Sequence, residues 1–202
     1  MQRNIKIVGV GGQGVVTAGM AISEAYRIEG INVVMSEIHG LSQRGGSVSV
    51  DIRSGNVHSP IIPSNRIDLL LAFEPLEAAR FFPTLPAGST VLMSDERLPP
   101  VWLGIRRMEY PDLTGKIESI GKKVRVVSIK AVDMAREAGN YKAVNTILIG
   151  AAFGLGQIGV KKQSLINALK EIIGDRGIDI NLKALEYGIG SVSSMKEISL
   201  PS

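Results

Sequence analysis

The sequence predicts an α/β fold: a Rossmann-like, mostly parallel twisted sheet flanked by helices, with a β-hairpin insertion and a helical C-terminal third. Three observations carry this prediction. A strand pattern, a glycine-rich turn and a helical stripe succeed one another near the N-terminus. A strictly alternating segment then interrupts the βα rhythm, and apolar residues at helical spacing dominate from Ala131 onward.

Residues 4–10 read as a short strand that ends in Gly9-Val10-Gly11-Gly12-Gln13-Gly14. Val15, Val16, Ala18, Ala21, Ile22, Ala25 and Ile28 then form a helical stripe, which Gly30 terminates before a second strand at residues 31–36. Residues 37–46 are polar and glycine-rich with no helical period, which predicts a loop. From Ser47 to Arg53 the residues alternate, Val48, Val50 and Ile52 on one face and Ser47, Ser49, Asp51 and Arg53 on the other, the pattern of a half-buried strand. Ser54-Gly55-Asn56 supplies turn chemistry, and residues 57–62 are expected to return as the hairpin partner, closed by Pro63.

Residues 68–73 read as a buried strand, and Glu74-Pro75-Leu76-Glu77 as a helix start, with proline in the first turn and carboxylates near the positive end of the dipole. Pro83 ends that helix. Further strands are expected at 90–93 and 124–129, while Pro99-Pro100, Pro111 and Gly115 break the region between them. Helices are expected at 131–138, from near Ala143, at 162–173 and at about 181–195. With no internal repeat and no low-complexity linker, residues 1–202 are expected to form one domain.

Composition narrows the function. Lys and Arg number 23 against 19 Asp and Glu, but the basic pairs Arg106-Arg107, Lys122-Lys123 and Lys161-Lys162 are scattered and only 4% of residues are aromatic, which argues against nucleic acid as a partner. There is no cysteine, so a disulfide, a thiolate nucleophile and a thiolate-anchored iron–sulfur cluster are all excluded from this chain. Residues 143–160 lack charge, yet Asn145, Thr146, Gln157 and four glycines interrupt them; a buried or interfacial helix explains them better than a membrane span. The N-terminus has no signal-peptide pattern, which leads us to expect a cytoplasmic protein.

Gly9-x-Gly11-x-x-Gly14 lies between a strand and a helix, where glycines let backbone amides approach a phosphate or carboxylate; the same glycines would equally serve a tight turn. Gly154-x-Gly156-x-x-Gly159 matches the same pattern within or after a helix, and is read as packing. Glu37 falls where a dinucleotide fold places its ribose-binding acid, but a hairpin in place of the second crossover helix argues against that ligand. Residues 37–47 gather a carboxylate, an imidazole, a hydroxyl, an amide and a guanidinium beside three glycines. Arg44-Gly45-Gly46 could offer a donor fork and free amides to an anion, or could hold a loop or subunit contact through an ion pair with Glu37. His39 and His58, the only histidines, are too few and too far apart for a metal site; His39 is read as a hydrogen-bonding loop residue and His58 as solvated.

Taken together, Gly9 to Gly14, Glu37-Ile38-His39-Gly40-Leu41-Ser42-Gln43-Arg44-Gly45-Gly46-Ser47-Val48 and Leu71-Ala72-Phe73-Glu74-Pro75-Leu76-Glu77-Ala78 resemble the beta subunits of indolepyruvate ferredoxin oxidoreductases, within the gamma-type domain family of 2-oxoacid:ferredoxin oxidoreductases. Ala138-Gly139-Asn140, Asn145, Gly150-Ala151 and Asn181-Leu182-Lys183-Ala184 continue the likeness. Gamma subunits of pyruvate, 2-ketoisovalerate and 2-oxoglutarate oxidoreductases are the nearest rivals, and a nucleotide-binding regulatory module is the alternative from another class. The resemblance implies a complex that converts an arylpyruvate, coenzyme A and oxidised ferredoxin into an aryl-acetyl-CoA, carbon dioxide and reduced ferredoxin. It places thiamine diphosphate and 4Fe-4S clusters in a large alpha subunit, leaves this chain without a cofactor or catalytic residue of its own, and makes it inactive alone. The candidates for contact with substrate, coenzyme A or the partner subunit are Gly9, Gly11, Gly12, Gln13 and Gly14 in the first loop, and Glu37, His39, Ser42, Gln43, Arg44, Gly45, Gly46 and Ser47 in the second.

Overall fold

The computed structural model describes residues 2–40, 45–99, 108–175 and 177–193. Six strands form one sheet in the order β2-β3-β1-β4-β5-β6: β1 (Arg3–Val10), β2 (Val33–His39), β3 (Ser47–Ser54), β4 (Leu69–Ala72), β5 (Thr90–Ser94) and β6 (Arg125–Ile129). β1, β4, β5 and β6 run parallel, and β3 lies antiparallel between β1 and β2. Among the described residues the helices are α1 (Val15–Ile28), α2 (Pro75–Ala79), α3 (Thr114–Gly121), α4 (Ala131–Ala138), α5 (Val144–Gly154), α6 (Lys162–Ile173) and α7 (Ile178–Ser191).

The sheet is covered on both faces, as a mostly parallel sheet must be. Alternate residues of β1 serve the two layers: Ile5 and Ile7 pack with Val50, Leu69 and Leu92 beneath α1 and α4 to α7, while Val8 packs with Leu70, Val91 and Met93 on the α2 and α3 side. The apolar helix α5 is the centre of the first layer, buried at every position except Phe153. It meets α7 at backbone distance, since a Cβ on Gly188 would sit 2.1 Å from the Ile147 carbonyl oxygen and one on Gly150 2.3 Å from that of Leu185. Among the described residues no helix is long and apolar enough to cross a membrane.

The hairpin forms differently from the sequence expectation. β3 pairs with β2 on one edge and with β1 on the other, so neither edge is left for residues 57–62, which run as an irregular segment. That segment instead folds across the face of β3, where Ile62 N–H donates to Asp51 Oδ2 at 3.0 Å and Arg53 donates to the Ser59 carbonyl at 2.8 Å. The alternating polar face of β3 is therefore not solvated at Asp51, which is 4% exposed and forms an ion pair with Lys6, its register partner on β1. His58 is exposed, as expected, but in this irregular segment rather than on a strand. β2 begins two residues later than expected and runs on through Glu37 to His39, because the ladder with β3 continues to the His39 and Val48 pair. α3 occupies a stretch for which the sequence offered no element. Of the second glycine pattern, Gly154 packs against Ile189 and Val192, but Gly156 and Gly159 meet positive-φ turn geometry instead (φ 73° and 75°).

Candidate functional site

The parallel strands end at one edge of the sheet, and the β1–α1 turn meets the β2–β3 loop there. The two are hydrogen bonded: Gly11 N–H donates to the Gly46 carbonyl at 2.8 Å, and Gly45 N–H to the Gly11 carbonyl at 3.4 Å. Gly40 N–H closes the loop base on the Ser47 carbonyl at 3.1 Å. The two loops thus share the carboxyl edge of the parallel strands. Ser42, Gln43 and Arg44 lie outside the described residues.

Within the turn each residue has a distinct task. Gly9 is a packing position, because a Cβ there would come within 2.7 Å of Val15 Cγ2 and 2.9 Å of Phe73 Cβ. Gly12 and Gly14 hold left-handed backbone (φ 105° and 83°), which only glycine adopts without strain. The Gln13 side chain accepts from Val10 N–H at 2.8 Å and donates to the Phe73 carbonyl at 3.1 Å, so it braces the turn against the end of β4. α1 starts directly from Gly14 with no side-chain cap, and Ala18 N–H is bonded back to Gly14. The preceding amides point out of the helix end, where its dipole favours an anion.

The second loop is anchored from below. Ser47 Oγ donates to Glu77 Oε2 at 2.5 Å, and Glu77, 3% exposed, is paired with Arg80 at 3.3 Å. Glu74, 1% exposed, caps α2 through Glu77 N–H at 2.9 Å and accepts the Tyr110 hydroxyl at 2.5 Å. Burial, reinforced by that carboxylate, pushes the Tyr110 phenol up, so it remains a donor. Two buried acids are stable here because Glu74 accepts from Glu77 N–H, Leu98 N–H and the Tyr110 hydroxyl, and Glu77 accepts from Ser47 and pairs with Arg80. Glu37 and His39, neighbours on the same side of β2, face each other in the open at 3.1 Å. Glu37 is thus paired with His39.

The glycine turn separates two hollows. One, of about 330 Å³, is walled by Val16, His39 and Val48. The other, of about 580 Å³, lies between the turn, Glu96 beyond β5, Arg136 of α4 and the N-terminus of α5 with Lys142 and Asn145. Burial, and after it the charges of Asp95 and Glu74, raises the Glu96 carboxyl above the ordinary range, while Arg136 and Gln13 oppose the shift. Among the described residues no three of His, Cys, Asp and Glu gather to hold a metal ion.

Residues 4–191 match the family described as pyruvate ferredoxin/flavodoxin oxidoreductase. The chain belongs to that family. The match covers every strand of the sheet and both glycine loops. A family relative from Methanothermobacter thermautotrophicus, named indolepyruvate oxidoreductase subunit IorB, is 40% identical over 194 residues, covering 96% of this chain and 99% of the relative. Among solved structures, the gamma subunit of a keto/oxoacid ferredoxin oxidoreductase from Geobacter sulfurreducens superposes with a TM-score of 0.69 at 21% identity, over 95% of this chain and 99% of that one. The 2-oxoglutarate:ferredoxin oxidoreductase of Magnetococcus marinus, with 2-oxoglutarate, coenzyme A and succinyl-CoA bound, superposes with a TM-score of 0.76 at 18% identity, over 99% of this chain and 32% of that one. Both structures share the fold of this family member.

For this member of the pyruvate ferredoxin/flavodoxin oxidoreductase family, sequence reasoning left Glu96 and Arg136 unnoticed and did not foresee that Glu74 and Glu77 would be buried anchors. Asn145 did carry a signal, as an amide inside an otherwise apolar helix. The others looked like ordinary surface charges, and only the meeting of distant segments gives them a place.

Proposed function

We propose that this chain is the small subunit of a coenzyme A-dependent indolepyruvate, or arylpyruvate, ferredoxin oxidoreductase, inactive alone and working in the cytoplasm as a single gamma-type unit. Its two glycine loops complete an active-site cleft whose other wall is a large subunit that carries thiamine diphosphate and iron–sulfur clusters. The observation that carries this reading is the likeness, over nearly the whole of both chains, to an indolepyruvate oxidoreductase subunit. Carbon–carbon cleavage and one-electron transfer to ferredoxin are supplied by the partner's bound cofactors. The donor set supports that division, because a chain with no cysteine offers no thiolate to a cluster.

What this chain contributes is position. The turn from Gly11 to Gly14 presents the N-terminus of α1, and Gly45 and Gly46, which lead into β3 beside His39 at the end of β2, are tied to it by backbone hydrogen bonds; Ser42, Gln43 and Arg44 precede them in sequence and are assigned to the same contact. Together they orient the acidic ends of substrate or coenzyme A against the partner's cofactor, where geometry held in advance lowers the barrier. The solved relative with bound coenzyme A supports this assignment of ligand class.

Co-expression with candidate large subunits, followed by anaerobic viologen reduction, tests the proposal. Activity should require thiamine diphosphate, coenzyme A, an arylpyruvate and this chain. Turnover by the purified chain alone, or undiminished turnover when it is omitted, would show the reading to be wrong.

A further inference from the structure

We propose that the hollow of about 660 Å³ at the amino edge of the sheet binds a small oxyanion, a carboxylate or a phosphate, on the guanidinium groups of Arg53 and Arg66. Asn4 lies at the start of β1, Arg53 beside it near the end of the antiparallel β3, and Asp68 just before β4, so the three meet where the parallel strands begin. The glycine loops lie at the other end of β1, roughly 20 Å away along a strand that rises about 3.3 Å per residue. The site is therefore separate from the cleft of the functional reading and does not rest on it.

Arg53 is the most direct indication. It is half-buried, and among the described residues its hydrogen-bond acceptors are all neutral: Nε donates to Asn4 Oδ1 at 3.0 Å, and Nη1 to the carbonyls of Ser59 at 2.8 Å and Ile61 at 3.4 Å. These bonds fix the guanidinium plane but supply no counter-charge. Among the described residues neither Arg53 nor Arg66 has an acid within ion-pair distance, whereas Arg27, Arg80 and Arg136 each do. A partly buried charge without a counter-ion is costly, and an arriving oxyanion relieves that cost on a rigid fork suited to paired oxygens.

Asp68 is the one acid on the wall of the hollow, and Asn4 keeps it from filling that role. The buried Asn4 offers Oδ1 to Arg53 and turns its other groups to Asp68 Oδ2, which accepts from the backbone N–H at 2.7 Å and from Nδ2 at 3.3 Å. An amide thus separates the two charges and holds each in place. The exposed Arg66 brings the second guanidinium to the hollow from a turn at Asn65, which alone among the described non-glycine residues holds positive φ (61°). Asparagine tolerates that left-handed backbone, and strain of this kind gathers at ligand sites. Arg3, next to Asn4 but on the opposite face of β1, adds to the positive potential of this edge, and its Nε is buried without a partner among the described residues.

A nitrogen-15-labelled sample of the full chain, titrated with inorganic phosphate and separately with succinate at constant ionic strength, tests the site through the Nε–H resonances of Arg53 and Arg66. Both resonances should shift saturably and report one dissociation constant for each ligand. Arg66→Met should weaken binding about tenfold. Asp68→Asn, which keeps an oxygen for Asn4 but removes the opposing charge, should tighten it, and Lys122→Met should leave it unchanged. Arg53→Met should abolish binding; if that variant does not fold, Arg66→Met still decides the matter, because the Arg66 side chain is exposed. Tighter binding of phosphate assigns the site to phosphate esters and tighter binding of succinate assigns it to carboxylates, and either supports the proposal. Shifts that grow linearly without saturation, shifts confined to the amides of Gly12 and Gly14, or an equal loss in Lys122→Met overturn it.

Discussion

The contact between α5 and α7 makes a sharp prediction, because two glycines of one helix should respond to the same substitution with opposite signs. On Gly188 a Cβ would lie 2.1 Å from the Ile147 carbonyl oxygen and 2.9 Å from Ala151 N, both backbone atoms that no rotamer change can move. Reaching even a tight 3.0 Å requires the helices to part by about 0.9 Å, which opens the layer that α5 centres and costs about 2–4 kcal/mol. The helix propensity of alanine returns only about 1 kcal/mol. On Gly190 nothing lies within 4 Å of the added carbon, so only the propensity gain remains. Urea unfolding should therefore show Gly188→Ala destabilised by about 1–3 kcal/mol and Gly190→Ala stabilised by up to about 1 kcal/mol. In a chain of this length that corresponds to thermal midpoints falling and rising by about 2–4 °C per kcal/mol. Shifts of the same sign in both variants would mean that the close helix approach is not what holds α5 in place.

Three further outcomes follow from the same structure. Gln13→Glu keeps the acceptor for Val10 N–H but loses the donor to the Phe73 carbonyl and places a carboxylate near Glu96; it should cost about 1–3 kcal/mol at neutral pH, and denaturant midpoints should recover as pH falls and the new acid takes up a proton. Lys6→Met leaves Asp51 buried with, among the described residues, only Ile62 N–H as its hydrogen-bond partner and should cost about 3–5 kcal/mol, measured by chemical unfolding against Lys122→Met as a surface control. The Glu96 carboxyl is raised above its ordinary 4.5 by burial, so the folded state binds its proton more tightly than the unfolded chain does and stability falls as pH rises through the raised value. Glu96→Gln should then be the more stable protein at pH 7, with the difference vanishing below about pH 4.5, where Glu96 is protonated in both states; a wild-type chain that gains stability over that rise would contradict the direction.

Local periodicity determined much of this protein. The strand at β1, the glycine turn, α1, the buried strand at β4, the Glu74-Pro75 helix start and the helix from Lys162 to Ile173 all follow from residues within one or two turns of each other. So does the position of the two loops, because parallel strands joined by crossover helices bring their carboxyl ends to one edge. What the tertiary structure decided is which strand edges are filled and which charges are buried. The alternation of Ser47 to Arg53 names a strand but not its neighbours, and β3 takes β1 and β2, excluding residues 57–62 from the sheet. Likewise Asp51, Glu74 and Glu77 are ordinary polar residues in sequence, and their roles arise when Lys6, Tyr110 and Ser47 reach them from segments far along the chain. A hydrophobic repeat is written into neighbouring residues, whereas a buried polar group is defined by the partner that satisfies it, and that partner is chosen only by folding.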